Sequence, residues 1–123
     1  MLSVNGARLL DRINELGAIG KDEEGRRTRL AASDTEKQGR DKVVSWMEDA
    51  DLKVVVDRIG NIFGIWETEE NKDKKPLMIG SHIDTVINAG QYDGCLGVIG
   101  AIEVIRTLSG ASERETDRGL RLY

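Results

Sequence analysis

His82 is the only histidine in the chain, Asp84 follows it by two residues, and Asp93 stands immediately before Gly94. These residue types at this spacing can bind a metal. A neutral imidazole is a good ligand for borderline divalent ions. In an extended segment, positions 82 and 84 point to the same side. Asp84 can therefore accept the imidazole N–H that does not face a metal, which fixes tautomer and ring orientation. Asp93 precedes an apolar run that reads as a helix, where a carboxylate can cap backbone N–H groups and meet the helix's positive end. The same carboxylate could instead offer one oxygen to each of two ions. Plainer readings stand beside these, since His-x-Asp occurs often by chance and an aspartate before glycine is commonly a turn or N-cap residue.

The elements that must position these residues can be read along the chain. Leu9, Ile13 and Leu16 fall on one face of an amphipathic helix that Gly17 and Gly20 end. A glycine- and charge-rich loop runs to about Ala32. Ser33 and Glu36 then form an S-x-x-E capping box at the start of a second helix. Val43, Met47 and Ala50, with Val44 and Trp46 beside them, form its apolar face. Leu52, Val54 and Val56 alternate as in a strand, and Ile62 to Trp66 resumes a β-rich run, which predicts a hairpin turning near Asp57–Asn61. A polar surface turn, 67–75, ends at the only proline, Pro76. Leu77 to Ser81 is a short uninterrupted apolar run, as expected of a strand covered on both faces, and it delivers His82 and Asp84 at its C-terminal end. From Gly94 to Leu108 the chain reads as a helix apolar nearly all round. Helices, hairpin, strand and helix in this order predict an α/β sheet with mixed strand directions.

Composition sets the outer bounds. The 123 residues suit one domain, with 39% hydrophobic and 33% charged residues, in the range of globular rather than disordered chains. A net charge of −4, with basic residues interleaved among acids as in Lys72-Asp73-Lys74-Lys75, argues against a nucleic-acid partner. A single cysteine, Cys95, excludes an internal disulfide framework and suits a reducing compartment. No secretory leader pattern opens the chain, and no apolar stretch approaches the ~20 residues of a membrane span. The expectation is a soluble, cytoplasmic protein without membrane or nucleic-acid partners.

The stretch Gly80-Ser81-His82-Ile83-Asp84-Thr85-Val86, followed by Gly90-Gln91-Tyr92-Asp93-Gly94-Cys95-Leu96-Gly97-Val98, resembles the N-carbamoyl-L-amino-acid hydrolase, β-ureidopropionase and allantoate amidohydrolase family. That family belongs to the aminoacylase/carboxypeptidase clan of two-metal hydrolases. Upstream, Thr28-Arg29-Leu30-Ala31, Trp46-Met47, Asp57-Arg58-Ile59-Gly60-Asn61 and Gly64 agree in order and spacing, so the similarity covers about residues 4–108. Ile87, Ala89 and Gln91 depart from the pattern without touching a proposed ligand.

The resemblance implies the N-terminal part of an open mixed-sheet, zinc-peptidase-like α/β catalytic domain with flanking helices. It implies metal ligands at His82 and Asp93, the latter bridging, and an orienting carboxylate in the catalytic site at Asp84. It further implies two divalent ions (zinc, manganese, cobalt or nickel) in the complete enzyme, a small ureido or amide substrate, and a homodimer. A Glu-Glu pair and further histidine ligands would lie outside this chain. The expected organisation is a partial catalytic domain over 1–108 and an atypical polar tail over 109–123, arising from truncation, a shifted frame or divergence. With an incomplete ligand set, the chain alone is expected to be inactive.

Other features have simpler explanations. Gly94, Gly97 and Gly100 are better read as close helix packing than as a nucleotide loop, because no strand leads directly into them. Cys95 reads as a small buried helix residue rather than a nucleophile, and Trp46 and Trp66 as packing residues. Arg29 has no assignable contact. Two rival functions remain at this point: an aminoacylase or metallopeptidase of the same clan, and a catalytically silent interaction module.

Overall fold

The computed structural model describes the backbone of residues 1–117 and the side chains of residues 1–110. In chain order it contains helices α1 (Gly6–Ala18) and α2 (Asp34–Glu48), strands β1 (Lys53–Val56) and β2 (Ile62–Ile65), and helix α3 (Cys95–Asp117). The fold is a partial α/β arrangement in which one small antiparallel sheet is flanked by helices.

The starts of α1 and α2 are built from local chemistry. Asn5 caps α1 by accepting the N–H of Arg8, and Ser33 caps α2 by accepting the N–H of Glu36. The expected capping box is only half made. Ser33 N–H donates to the Leu30 carbonyl at 3.1 Å, while Glu36 turns toward Arg40 at 3.6 Å. The backbone acceptor at Leu30 occupies the donor that Glu36 would have taken.

The hairpin matches the sequence pattern. Lys53 pairs with Ile65 and Val56 with Ile62. Its turn is closed by Asp57, whose Oδ1 accepts the N–H groups of Ile59 and Asn61, and whose Oδ2 accepts from Asn61 Nδ2 at 2.8 Å. Hydrogen bonding from the Asn61 side chain, helped by turn N–H groups, outweighs desolvation and holds the Asp57 carboxyl below its ordinary pKa.

One core joins all three helices. Ile13 and Leu16 of α1, Val43 and Trp46 of α2, and Ile99 and Ile102 of α3 are buried together. Burial of each such side chain is worth roughly 1.5–3 kcal/mol relative to exposure. The Arg12 guanidinium lies over the Trp46 ring, 5.4 Å from its centroid, so the face of this indole carries a cation.

Two expectations about the last third of the chain are corrected. Leu77–Ser81 is not a covered strand: it carries no ladder, and Leu77 and Met78 are 90% and 77% exposed. A strand requires a neighbour for its N–H and C=O groups, and the only ladder among the described residues is β1–β2. Nor is α3 buried on most sides, as a helix apolar nearly all round would be: Leu96, Val104 and Leu108 on it are exposed, while Glu103 is fully buried. The Glu103 carboxylate takes the Asn5 N–H at 2.9 Å, Arg8 Nε at 2.8 Å and Arg8 Nη2 at 2.7 Å, pinning the start of α1 to the middle of α3.

Helix α3 also runs past the expected end at Leu108 to Asp117. Ala111, Glu113, Arg114 and Glu115 are helix-compatible residues, and the cost of about 1 kcal/mol for Gly110 does not stop the run. The part of the expected polar tail from residue 118 onward lies outside the described residues. Among the described residues no helix is long and apolar enough to cross a membrane.

Candidate metal-binding site

The site sits where the irregular segment 82–85 meets the start of α3. His82 Nε2 lies 3.8 Å from Asp93 Oδ1. On the other side of the ring, His82 Nδ1 lies 3.0 Å from the Asp84 carbonyl oxygen and 3.3 Å from Asp84 Oδ1. An Nδ1–H tautomer donates to Asp84 and leaves the Nε2 lone pair facing the Asp93 carboxylate. All three residues named from the sequence are therefore brought together, and each is roughly half exposed.

Backbone geometry sets this approach. Gly94 has φ +68°, and a Cβ there would meet the His82 ring at 2.4 Å. Gly97 admits Ser81 in the same way, its Cβ position lying 2.7 Å from Ser81 Cβ. The close-packing explanation for these two glycines is supported, with the 81–82 segment as the packed neighbour. Gly100 has nothing within 4 Å of its Cβ position, so that explanation does not extend to it.

Loop 85–93 is tied to the body by a layer that sequence reasoning missed. Thr85 is buried; its N–H donates to the Arg29 carbonyl at 2.7 Å and its Oγ1 accepts the Arg29 N–H at 2.7 Å. Arg27 donates from Nε to the Gly17 carbonyl and from Nη1 to the Ala89 carbonyl at 3.3 Å, while Ala89 N–H returns to the Arg27 carbonyl. The arginines sit in a loop that reads as polar surface by composition. Their burial depends on backbone carbonyls distant in sequence, which no local pattern announces.

Cys95 is buried, as expected for a packing residue. Burial pushes its thiol up, and the neighbouring Arg29 only partly opposes that shift. This favours the neutral thiol over a nucleophilic thiolate.

The donor set fits a shared ion in part. Two donors at about 2.0–2.2 Å from one tetrahedral zinc-type ion stand roughly 3.3–3.6 Å apart, and the observed 3.8 Å is a few tenths of an ångström wider. Among the described residues, no group of three or more His, Cys, Asp or Glu side chains is arranged to hold an ion. The chain thus offers two facing donors, with the far ring nitrogen of His82 on the Asp84 carbonyl and the Asp84 carboxylate 3.3 Å away.

Comparisons with known proteins agree with the motif reading. No family model matches the chain. The N-carbamoyl-L-amino acid amidohydrolase of Geobacillus stearothermophilus is 41% identical over 106 residues, covering 86% of this chain and 26% of that protein. Allantoate deiminase 1 of Glycine max is 38% identical over 97 residues, covering 79% of this chain and 20% of the relative. In three dimensions, a hydantoinase/carbamoylase family amidase from Burkholderia ambifaria superposes with a TM-score of 0.85 at 38% identity, covering 91% of this chain and 27% of that one. The chain spans about a quarter of the length of the amidohydrolases it matches. Sequence and fold together show that the chain is homologous to one part of the N-carbamoyl-L-amino-acid amidohydrolases and allantoate deiminases and shares that part's fold with hydantoinase/carbamoylase family amidases.

Proposed function

We propose that the chain contributes His82, Asp84 and Asp93 to the two-metal site of a hydrolase acting on ureido C–N bonds, with N-carbamoyl-L-amino acids, β-ureidopropionate or allantoate as substrates. The observation that carries this reading is the placement of His82 Nε2 opposite Asp93 Oδ1 while Nδ1 is engaged by Asp84. The names of the relatives supply the substrate class.

In this reading His82 and Asp93 would hold the divalent metal. When bound, such ions would polarise the scissile group and activate water. Asp84 keeps the imidazole in the tautomer and orientation that ligation needs. All three side chains are about half exposed, so groups from elsewhere can reach them. A catalytic ion takes about three protein ligands and keeps one open position. Two facing donors do not meet that requirement, so the isolated 123-residue chain is inactive in this proposal. The complete enzyme supplies the general base and remaining ligands, and acts as a homodimer.

Two measurements test this. Zinc added to the chain should shift the ring signals of its one histidine, and Asp93→Ala should weaken binding by tenfold or more; unchanged binding in that variant would favour a silent interaction module. Hydrolysis of N-carbamoyl amino acids by the chain with Mn²⁺, Co²⁺ or Zn²⁺ should be negligible. Robust turnover abolished by His82→Ala would overturn the inactive-fragment part of the proposal.

A further inference from the structure

The Arg29 side chain is fully buried, yet among the described residues no carboxylate pairs with it. Desolvating a guanidinium costs several kcal/mol unless its donors are satisfied, and here each nitrogen is used. Nε donates to the Ile83 carbonyl at 2.9 Å. Nη1 donates to the carbonyls of Leu16 at 3.0 Å and Ile19 at 2.8 Å, at the end of α1. Nη2 reaches Cys95 Sγ at 3.1 Å. Ile83 lies between His82 and Asp84, and the Cys95 N–H donates to the Asp93 carbonyl at 2.7 Å. One planar group thus touches the segment bearing the imidazole and the helix start bearing the carboxylate, and anchors both to α1.

We propose that Arg29 is a positioning residue that sets the register of His82 against Asp93, acting through the Ile83 carbonyl and Cys95. The proposal rests on the metal-site reading above for its functional consequence, but its geometric claim stands apart from any metal. The fork of the guanidinium is essential, since an ammonium carries its charge at one point and cannot reach three directions at fixed angles. Gly39 on α2 leaves the space that this side chain needs: a Cβ there would stand 2.9 Å from Arg29 Cδ.

The test uses the full chain, isotope-labelled, with two readouts by NMR. Without metal, the wild type should show a nuclear Overhauser contact between the His82 ring and the Gly94 Hα. With Zn²⁺ alone, the His82 ring nitrogen signals should shift. In Arg29→Lys the ring contact should vanish and zinc affinity should fall at least about tenfold, while the β1–β2 amide signals stay in place. Retention of both contact and affinity, even with a lowered melting temperature, would show a merely structural role and overturn the proposal. If wild type itself fails to bind zinc at His82, the metal-site reading fails, and the ring contact alone decides the positioning claim. If Arg29→Lys does not fold, Gly39→Ala takes its place, since it favours α2 while displacing Arg29. That variant should weaken the ring contact and lower zinc affinity several-fold, and wild-type behaviour in both readouts would overturn the proposal.

Discussion

The His82 ring occupies the space where a side chain at Gly94 would begin. A Cβ on residue 94 would lie 2.4 Å from His82 Cε1 and 2.5 Å from the His82 carbonyl oxygen. The backbone there also has φ +68°, a conformation that penalises any L side chain. Gly94→Ala should therefore combine strain with displacement of the ring, costing about 2–3 kcal/mol. Urea unfolding should show the loss, and zinc binding at His82 should weaken in parallel. An alanine variant as stable as wild type, with unchanged zinc binding, would mean that Gly94 has no part in setting the site.

Glu103 provides a second test, away from the site. Burial by itself pushes its carboxyl up, but hydrogen bonds from Arg8 and the Asn5 N–H, with the charges of Arg8 and Arg12, outweigh that and hold it below its ordinary 4.5. A carboxylate with a lowered folded pKa stabilises the fold fully above its unfolded value. That contribution is lost as the pH falls through the lower folded value. The acid limb of a stability-against-pH curve should therefore begin near 4.5 and flatten in Glu103→Gln. Glu103→Ala should cost about 3 kcal/mol at neutral pH, held to the low end because Arg8 is one-third exposed and can turn to water. A Glu103→Gln curve that falls with acid as steeply as wild type would assign the transition to other carboxylates.

How much the sequence revealed depends on the range of the interaction. Helix faces were legible because Leu9, Ile13, Leu16, Val43 and Met47 repeat at helical spacing, and the hairpin because Asp57 and Asn61 close their own turn. The association of His82, Asp84 and Asp93 was legible from a motif of adjacent segments. Arg29 and Glu103 were not. Each is charged yet buried, and the groups that make burial tolerable lie far along the chain: Ile83 and Cys95 for Arg29, Asn5 and Arg8 for Glu103. The strand expected at Leu77–Ser81 failed for a related reason. Apolar residues can suggest a strand, but a ladder depends on a neighbour that their own sequence does not contain.

The half-made capping box makes an asymmetric prediction. Ser33 Oγ takes the Glu36 N–H at 3.2 Å, so Ser33→Ala should destabilise by about 1 kcal/mol. The Glu36 side chain does not return the bond and only approaches Arg40, so Glu36→Gln should change stability by less than about 0.5 kcal/mol. Thermal or urea unfolding of the two variants is enough to compare them. Equal losses would show that Glu36 closes the box in solution.

Residues 77–81 carry the last prediction. Among the described residues, no hydrogen bond involves their backbone N–H groups, and Leu77 and Met78 stand largely in water. Their amides should exchange with deuterium at nearly unprotected rates in this chain, while those of Val55 and Phe63 in the hairpin and Ile99 in α3 are slowed by their ladder or helix bonds. Leu77→Lys should leave stability within about 0.5 kcal/mol of wild type, since it removes no buried contact. Val43→Lys, by contrast, places a charge in the core and should unfold the chain. Strong protection at 77–81 would mean that the segment finds a pairing partner in solution, most simply another copy of the chain. In that case protection should rise with protein concentration, and dilution should return those amides to fast exchange while Ile99 remains slow.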